Sequence, residues 1–79
     1  MSETDFLEWC GTLFNEPADA LTMDTRREDI GGWDSMGMLL LMADLDEIHG
    51  IQLKEEELSE LKTLRDIASL IEARTPKSG

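Results

Sequence analysis

The sequence contains no valine and no tyrosine, and only two phenylalanines and two tryptophans among its 79 residues. β-Strands favour β-branched and aromatic side chains, so this scarcity argues against a sheet. Leucine instead occurs twelve times, and together with methionine, alanine and the acidic residues it dominates the chain. Most of these residues favour helices. The composition therefore predicts an all-α fold, and the length allows one small domain over 1–79, which we expect to be ordered over about 4–74.

Basic residues are also few, since seven stand against eighteen acidic residues and give a net charge of −11. Such a chain repels the phosphates of nucleic acids and the anionic surface of a membrane, so we expect neither as a partner. The same charge favours a protein partner with a basic docking surface, approached by electrostatic steering. We expect the chain itself to be a monomer.

The chain has a single cysteine, Cys10, so an internal disulfide is excluded. Small secreted domains usually carry several cysteines, and we therefore expect a reducing compartment and a cytoplasmic protein. The acidic start lacks the basic and apolar regions of a signal peptide, and the longest apolar stretch, 36–43, is far too short to span a bilayer. Because Cys10 falls within an apolar helical stripe, we expect a buried core thiol rather than a nucleophile.

The sequence has only one histidine, His49, and this scarcity argues against an enzyme. It does not assemble into a Cys/His or Ser/His/Asp system, and no spacing of residues resembles a zinc site. Acidic residues are plentiful, but a catalytic carboxylate needs an apolar pocket that shifts its pKa, whereas the run 55–57 is typical of a solvated helix face. We therefore predict no catalytic residues, no metal site and no enzymatic activity.

Cap residues and apolar periodicity predict a small bundle of four helices, three longer and one short. The second helix is the clearest, because Asp34 and Ser35 supply cap chemistry, His49 suits its end and Gly50 is placed for a left-handed residue. We expect the first helix to begin at Ser2 or Thr4 and the short third helix to extend from Lys54 to Leu61. The fourth helix is expected to begin at a Thr63–Asp66 capping box and to end at Thr75-Pro76, before a frayed tail at 77–79.

A long connection, 15–33, separates the first two predicted helices. It contains a proline and a pair of glycines and sustains no hydrophobic period. Connections of this length in a compact domain are more often functional than idle. We expect its scattered apolar residues to hold it against the bundle, namely Leu21, Met23 and Ile30.

The second predicted helix carries more apolar residues than one buried face needs. The stripe expected to face the core comprises Met38, Leu41, Leu45 and Ile48. An adjoining stripe comprises Met36, Leu39, Leu40 and Ala43. Either both stripes are buried, one of them under the long connection, or the second is an exposed contact face beside Ser35. We favour contact for Met36 and Leu39, and both alternatives stay open for Leu40.

Four segments carry a resemblance to a known family. They are Trp33-Asp34-Ser35-Met36, Leu45-Asp46-Glu47, Gly50-Ile51-Gln52-Leu53 and 62–67. The first resembles the Asp-Ser-Leu/Met signature that opens the second helix of the acyl carrier proteins and their peptidyl and aminoacyl relatives. The others are similar to the acidic end of that helix, the residues after it, and the start of the fourth helix. The resemblance extends over about 6–71, and length, acidity and helix order agree with it.

The resemblance implies a carrier rather than a catalyst. In this family a phosphopantetheinyl transferase moves 4′-phosphopantetheine from coenzyme A onto the serine that matches Ser35, and the thiol of the arm then holds cargo as a thioester. Asp34 matches the residue that helps the transferase recognise the site. A loading ligase for the acyl or aminoacyl group and downstream biosynthetic enzymes are further implied partners. The positions that match partner-contact residues are Met36, Leu39, Leu40, Ala43, Asp46 and Glu47.

Two departures from the family pattern bear on the cargo. Leu40 stands where fatty-acid carriers commonly have glutamate, and Gly37 replaces a usual aspartate, so a dedicated pathway is expected rather than housekeeping fatty-acid synthesis. Asp-Ser-Met-Gly also resembles the D-alanyl carriers. Three hypotheses follow: an acyl carrier of a specialised pathway, an aminoacyl or peptidyl carrier, and a non-carrier acidic adaptor in which Asp34-Ser35 is only a helix cap.

Overall fold

Four α-helices make up most of residues 2–74, the part of the chain described by this computed structural model. They are α1 (Glu3–Phe14), α2 (Ser35–His49), α3 (Glu55–Glu60) and α4 (Leu64–Arg74), and short 3₁₀ helices lie at Ala18–Ala20 and Arg27–Asp29. Since 2–74 contains no strand, the predicted all-α bundle of three longer helices and one short helix is confirmed. The predicted helix stop at Thr75-Pro76 and the tail at 77–79 lie outside the described residues.

Helix α1 begins and ends as its local sequence dictates. The N–H of Asp5 donates to Ser2 Oγ at 3.1 Å, so Ser2 rather than Thr4 is the N-cap. Asn15 ends the helix in the left-handed conformation, with φ of 58°, which asparagine tolerates better than most residues. The helix buries one face, made up of Phe6, Cys10, Gly11, Leu13 and Phe14.

Helix α2 has the predicted bounds, and its core stripe is correct except at one end. Leu41 and Leu45 are completely buried and Met38 is partly buried. Ile48 is 56% exposed, so its assignment to the core was wrong. Helical period places Ile48 on the side of α2 that faces the core, but burial also requires a neighbouring element. In this last turn it is His49 that contacts α1, edge-on against Trp9, with ring centroids 6.1 Å apart.

The short helix α3 is one residue shorter at each end than predicted, because Lys54 and Leu61 are its flanking cap residues. Leu58 and Leu61 are buried, as expected. The N–H of Lys54 donates to Glu57 Oε1 at 3.3 Å, which fixes the first turn. Glu57 also pairs with Arg74 at the end of α4, so the two ends of this region are linked by an ion pair.

Helix α4 opens with the predicted capping box. The N–H of Asp66 donates to Thr63 Oγ1, and the N–H of Thr63 donates to Asp66 Oδ2, both at 3.2 Å. Leu64 and Ile67 are completely buried, so the helix that begins at this cap turns its apolar stripe toward the core. The cap and the stripe together fix which face of α4 is buried.

The long connection is held by backbone hydrogen bonds as well as by its apolar residues. Leu21 and Ile30 are buried and Met23 is packed against the core, as expected. The segment 23–27 runs antiparallel to the residues at the start of α4. The N–H of Arg27 donates to the carbonyl of Lys62 at 2.7 Å, the N–H of Leu64 donates to that of Thr25 at 3.2 Å, and the N–H of Arg65 donates to that of Met23 at 2.8 Å. This pairing fixes the connection and thereby the chain that leads into α2.

Within 2–74, no helix combines the length and the apolar content needed to cross a bilayer.

Candidate functional site

The site predicted around Ser35 lies at the start of α2, and Asp34 alone caps this helix. Asp34 Oδ1 accepts a hydrogen bond from the N–H of Gly37 at 3.0 Å, and its carbonyl accepts one from the N–H of Met38. The sequence assigned cap chemistry to Ser35 as well, and the structure corrects this. Ser35 occupies the first helical position, is exposed, and its hydroxyl makes no hydrogen bond to the residues in 2–74. Its Oγ is therefore free for chemistry.

A buried tryptophan fixes the chain immediately before the site. Trp33 is 3% exposed and stacks on Phe14, with ring centroids 5.1 Å apart and an interplanar angle of 14°. Its indole N–H donates to Met38 Sδ at 3.2 Å, so its polar atom is also satisfied. Because Ser35 is only two residues further along, these contacts hold the attachment candidate in place relative to α1.

Two glycines allow the same segment to pack closely. A Cβ added at Gly37 would lie 2.0 Å from the carbonyl oxygen of Gly32, and one added at Gly32 would lie 1.9 Å from the carbonyl oxygen of Phe14. No real side chain fits at such distances, so α1, the connection and the first turn of α2 meet backbone to backbone. Gly37 is buried in this contact, so a side chain at this position would clash with Gly32 in this chain.

The six predicted partner-contact residues all lie on the outer face of α2. At 3.6 residues per turn they fall within an arc of about 120°, and Ser35 lies at its edge. All are exposed, and the values for the three largest side chains are 64% for Met36, 61% for Leu39 and 46% for Leu40. We call this surface the outer face of α2, comprising Met36, Leu39, Leu40, Ala43, Asp46 and Glu47. The long connection does not cover it, so the alternative with both stripes buried does not hold.

The other nucleophile candidate, Cys10, lies in the core and takes no part in the site. Its side chain is completely buried, and this burial raises the pKa of the thiol to about 12. The thiol is therefore protonated at neutral pH and inert, as its place in the apolar stripe indicated. Residues 2–74 also contain no group of three or more potential ligands arranged to hold a metal ion.

Residues 4–71 match the model of the family described as "Phosphopantetheine attachment site". The chain is also 32% identical over 65 residues to the acyl carrier protein of Onion yellows phytoplasma (strain OY-M), an alignment that covers 82% of this chain and 86% of that protein. The chain belongs to the acyl carrier protein family.

Membership establishes the general role. The protein is a carrier and not a catalyst, and its prosthetic group is covalently attached 4′-phosphopantetheine. Its partners include a phosphopantetheinyl transferase and biosynthetic enzymes. These statements confirm the family resemblance and the absence of enzymatic activity that the sequence predicted.

The start of α2 suits the prosthetic group of such a carrier. The first N–H groups of a helix have no intrahelical acceptor, and those of Ser35 and Met36 are not used by the Asp34 cap. Together with the positive end of the helix dipole they favour a phosphate attached at this point. An exposed hydroxyl without a hydrogen-bond partner adjoins them, so the residues present fit a phosphodiester on Ser35.

Sequence reasoning missed the residues that position this site. Trp33, Phe14, Gly32 and Gly37 hold the start of α2 against the end of α1 by ring stacking and by close backbone contact. The available signal was a pair of glycines directly before a tryptophan in an otherwise polar connection. Glycine before a large aromatic residue at a helix start is compatible with close packing, but it does not indicate which part of the chain packs against it.

Proposed function

We propose that this carrier holds acyl intermediates of a specialised biosynthetic pathway as thioesters on an arm attached to Ser35. The observation that supports the proposal is the free, exposed Oγ of Ser35 at the first position of α2, beside N–H groups suited to a phosphate. Attachment forms a bond between Ser35 Oγ and the pantetheine-side phosphorus of coenzyme A. It breaks the pyrophosphate bond, releases adenosine bisphosphate, and passes the hydroxyl proton to a base of the transferase.

We assign recognition by the transferase to Asp34, whose carboxylate is exposed and uses one oxygen for the cap. The cap fixes that carboxylate next to Ser35, so an enzyme that reaches the hydroxyl also meets a negative charge in a fixed position. We place the whole reaction in the cytoplasm. The free thiol of Cys10 and the use of coenzyme A are both compatible with the reducing conditions of that compartment.

The proposal is tested by treating the unmodified protein with a broad-specificity phosphopantetheinyl transferase and coenzyme A, followed by intact-mass analysis. We expect the whole population to gain the mass of one phosphopantetheine. A protein that stays unmodified, under conditions in which a known carrier is fully converted, would leave the acidic adaptor as the function.

We prefer an acyl cargo over an aminoacyl cargo for two reasons, which concern Gly37 and Leu40. The similarity to D-alanyl carriers rests partly on Gly37, and this glycine is required by its contact with Gly32, whatever the cargo is. Leu40 is the departure that a partner enzyme meets, because it is exposed where fatty-acid carriers have glutamate. A partner enzyme that binds an apolar residue at this position differs from one that binds glutamate there. This difference supports a dedicated pathway.

We also propose that the outer face of α2 binds the partner enzymes, chiefly through its apolar residues. Burying a large aliphatic side chain contributes about 1.5–3 kcal/mol, whereas an exposed ion pair contributes about 0–1 kcal/mol. Leu39→Ala should therefore weaken acyl transfer with the cognate enzyme more than Asp46→Ala does. Measured KM values for the two loaded variants check this prediction.

Thermal melts provide the control for that comparison. Leu39 is mostly exposed, so Leu39→Ala should change the free energy of unfolding by no more than about 0.5 kcal/mol. Leu45 is completely buried in the same helix, and Leu45→Ala should cost about 2–5 kcal/mol. A large loss of stability in Leu39→Ala would contradict the contact role and leave Asp46 and Glu47 for recognition.

A further inference from the structure

A groove of about 810 Å³ opens beside the start of α2, between the long connection and the α3–α4 link. This volume lies in the range of small-molecule sites, about 300–1,000 Å³. Its apolar lining comes from Ile30, Trp33 and Leu61, which are all buried. The hydrogen bond from the N–H of Arg27 to the carbonyl of Lys62, at 2.7 Å, joins its two sides. The groove therefore has a fixed frame and a small apolar floor between polar walls.

The groove carries positive charge in a strongly acidic protein. Arg26, Arg27 and Lys62 line it, which is three of the seven basic residues in the chain, against one acidic residue, Glu28. Arg26 pairs with Glu28 at 3.3 Å, and both of these side chains are 70% exposed. Among residues 2–74, Arg27 and Lys62 form no ion pair. Two cations without an ion-pair partner thus adjoin a small apolar floor, a combination that complements an anion with an apolar stem.

The attachment candidate is within easy reach of this groove. Trp33 lines the groove and lies two residues before Ser35, so their Cα atoms are at most about 7 Å apart. A group held on a short tether has an effective concentration in the millimolar range, and weak contacts are then sufficient to keep it bound. The groove is therefore available to whatever Ser35 carries.

We propose that this groove binds the distal carboxylate of an acyl group carried on the Ser35 arm. The aliphatic stem lies against Ile30, Trp33 and Leu61, and the carboxylate pairs with Arg27 and Lys62. The same cations repel the ammonium group of an aminoacyl cargo. The inference rests on the proposed carrier function and narrows its cargo to acyl groups that end in a carboxylate.

The test uses three forms of the carrier loaded with groups of equal chain length: adipyl, hexanoyl and ω-aminohexanoyl. Each is introduced by the transferase from a coenzyme A analogue with an amide in place of the thioester, so that it does not hydrolyse. Amide and indole signals are compared by NMR. We expect adipyl to shift the signals of Arg27, Lys62 and the Trp33 indole N–H, and the hexanoyl and ω-aminohexanoyl forms to leave Arg27 and Lys62 close to their positions in the unloaded carrier.

Charge variants identify the groups responsible. In Arg27→Gln/Lys62→Gln the difference between adipyl and hexanoyl should disappear. In Arg65→Gln, which removes an exposed cation paired with Asp24 outside the groove, the difference should persist. Equal shifts from adipyl and hexanoyl in the unsubstituted protein would overturn the proposal, even if the double variant did not fold. A difference that survives in the double variant would also overturn it, whereas failure to load any group would overturn the carrier function itself.

Discussion

Replacing Ser35 by alanine is expected to abolish the mass gain with transferase and coenzyme A completely. The alanine has no oxygen to form the bond to phosphorus, and among residues 2–74 no other hydroxyl lies at the first position of a helix beside an Asp cap. Stability should hardly change, by no more than about 0.5 kcal/mol, because Asp34 supplies the cap and the Ser35 hydroxyl makes no hydrogen bond within 2–74. Intact mass and a thermal melt of the same sample measure both effects.

The matched control is Ser69→Ala, which removes an exposed hydroxyl from α4 far along the chain from the site. It should be modified as completely as the unsubstituted protein. Mass gain on the Ser35→Ala protein would refute the assignment, as would a peptide map that places the arm on another serine. Loss of modification together with loss of folding would instead show that Ser35 has a structural role.

The helices were predictable because their signals are local. Asp34 and Gly50 bound α2, and the Thr63–Asp66 box opens α4, each through hydrogen bonds or backbone angles within a few residues. Helical period alone also separated buried Leu41 from exposed Leu39. The location of Ser35 at a helix start beside an exposed apolar face could be predicted for the same reason.

The parts that sequence could not give depend on contacts between distant segments. Ile48 has the period of a core residue but is 56% exposed, because no element within 2–74 covers it. The Arg26-Arg27 pair directly precedes Glu28 and Asp29, a pattern typical of local charge neutralisation, and Arg26 does pair with Glu28. Its pairing with the Lys62 region depends on long-range backbone hydrogen bonds, so neither the groove nor its charge was visible in the sequence.

The close contact between Gly37 and Gly32 leads to the second large effect, that of Gly37→Ala. Alanine is favoured over glycine within a helix by about 1 kcal/mol, so an isolated helix would gain stability. Here the new Cβ would lie 2.0 Å from the carbonyl oxygen of Gly32, and the atom that must move is backbone rather than a flexible side chain. Overpacking of this kind costs about 1–3 kcal/mol or more, and we expect the loss to outweigh the gain.

A net loss of about 1 kcal/mol would lower the Tm of a domain of this size by roughly 4–8 °C. Gly31→Ala is the matched control, because a Cβ at Gly31 meets nothing within 4 Å and its φ is not positive, so its Tm should stay within about 2–4 °C of the unsubstituted protein. Modification by the transferase should also slow in Gly37→Ala, since displacing Gly32 displaces Trp33 and the approach to Ser35. Equal melting temperatures for the two variants would mean that the connection shifts at little cost, and that the contact does not position the attachment site.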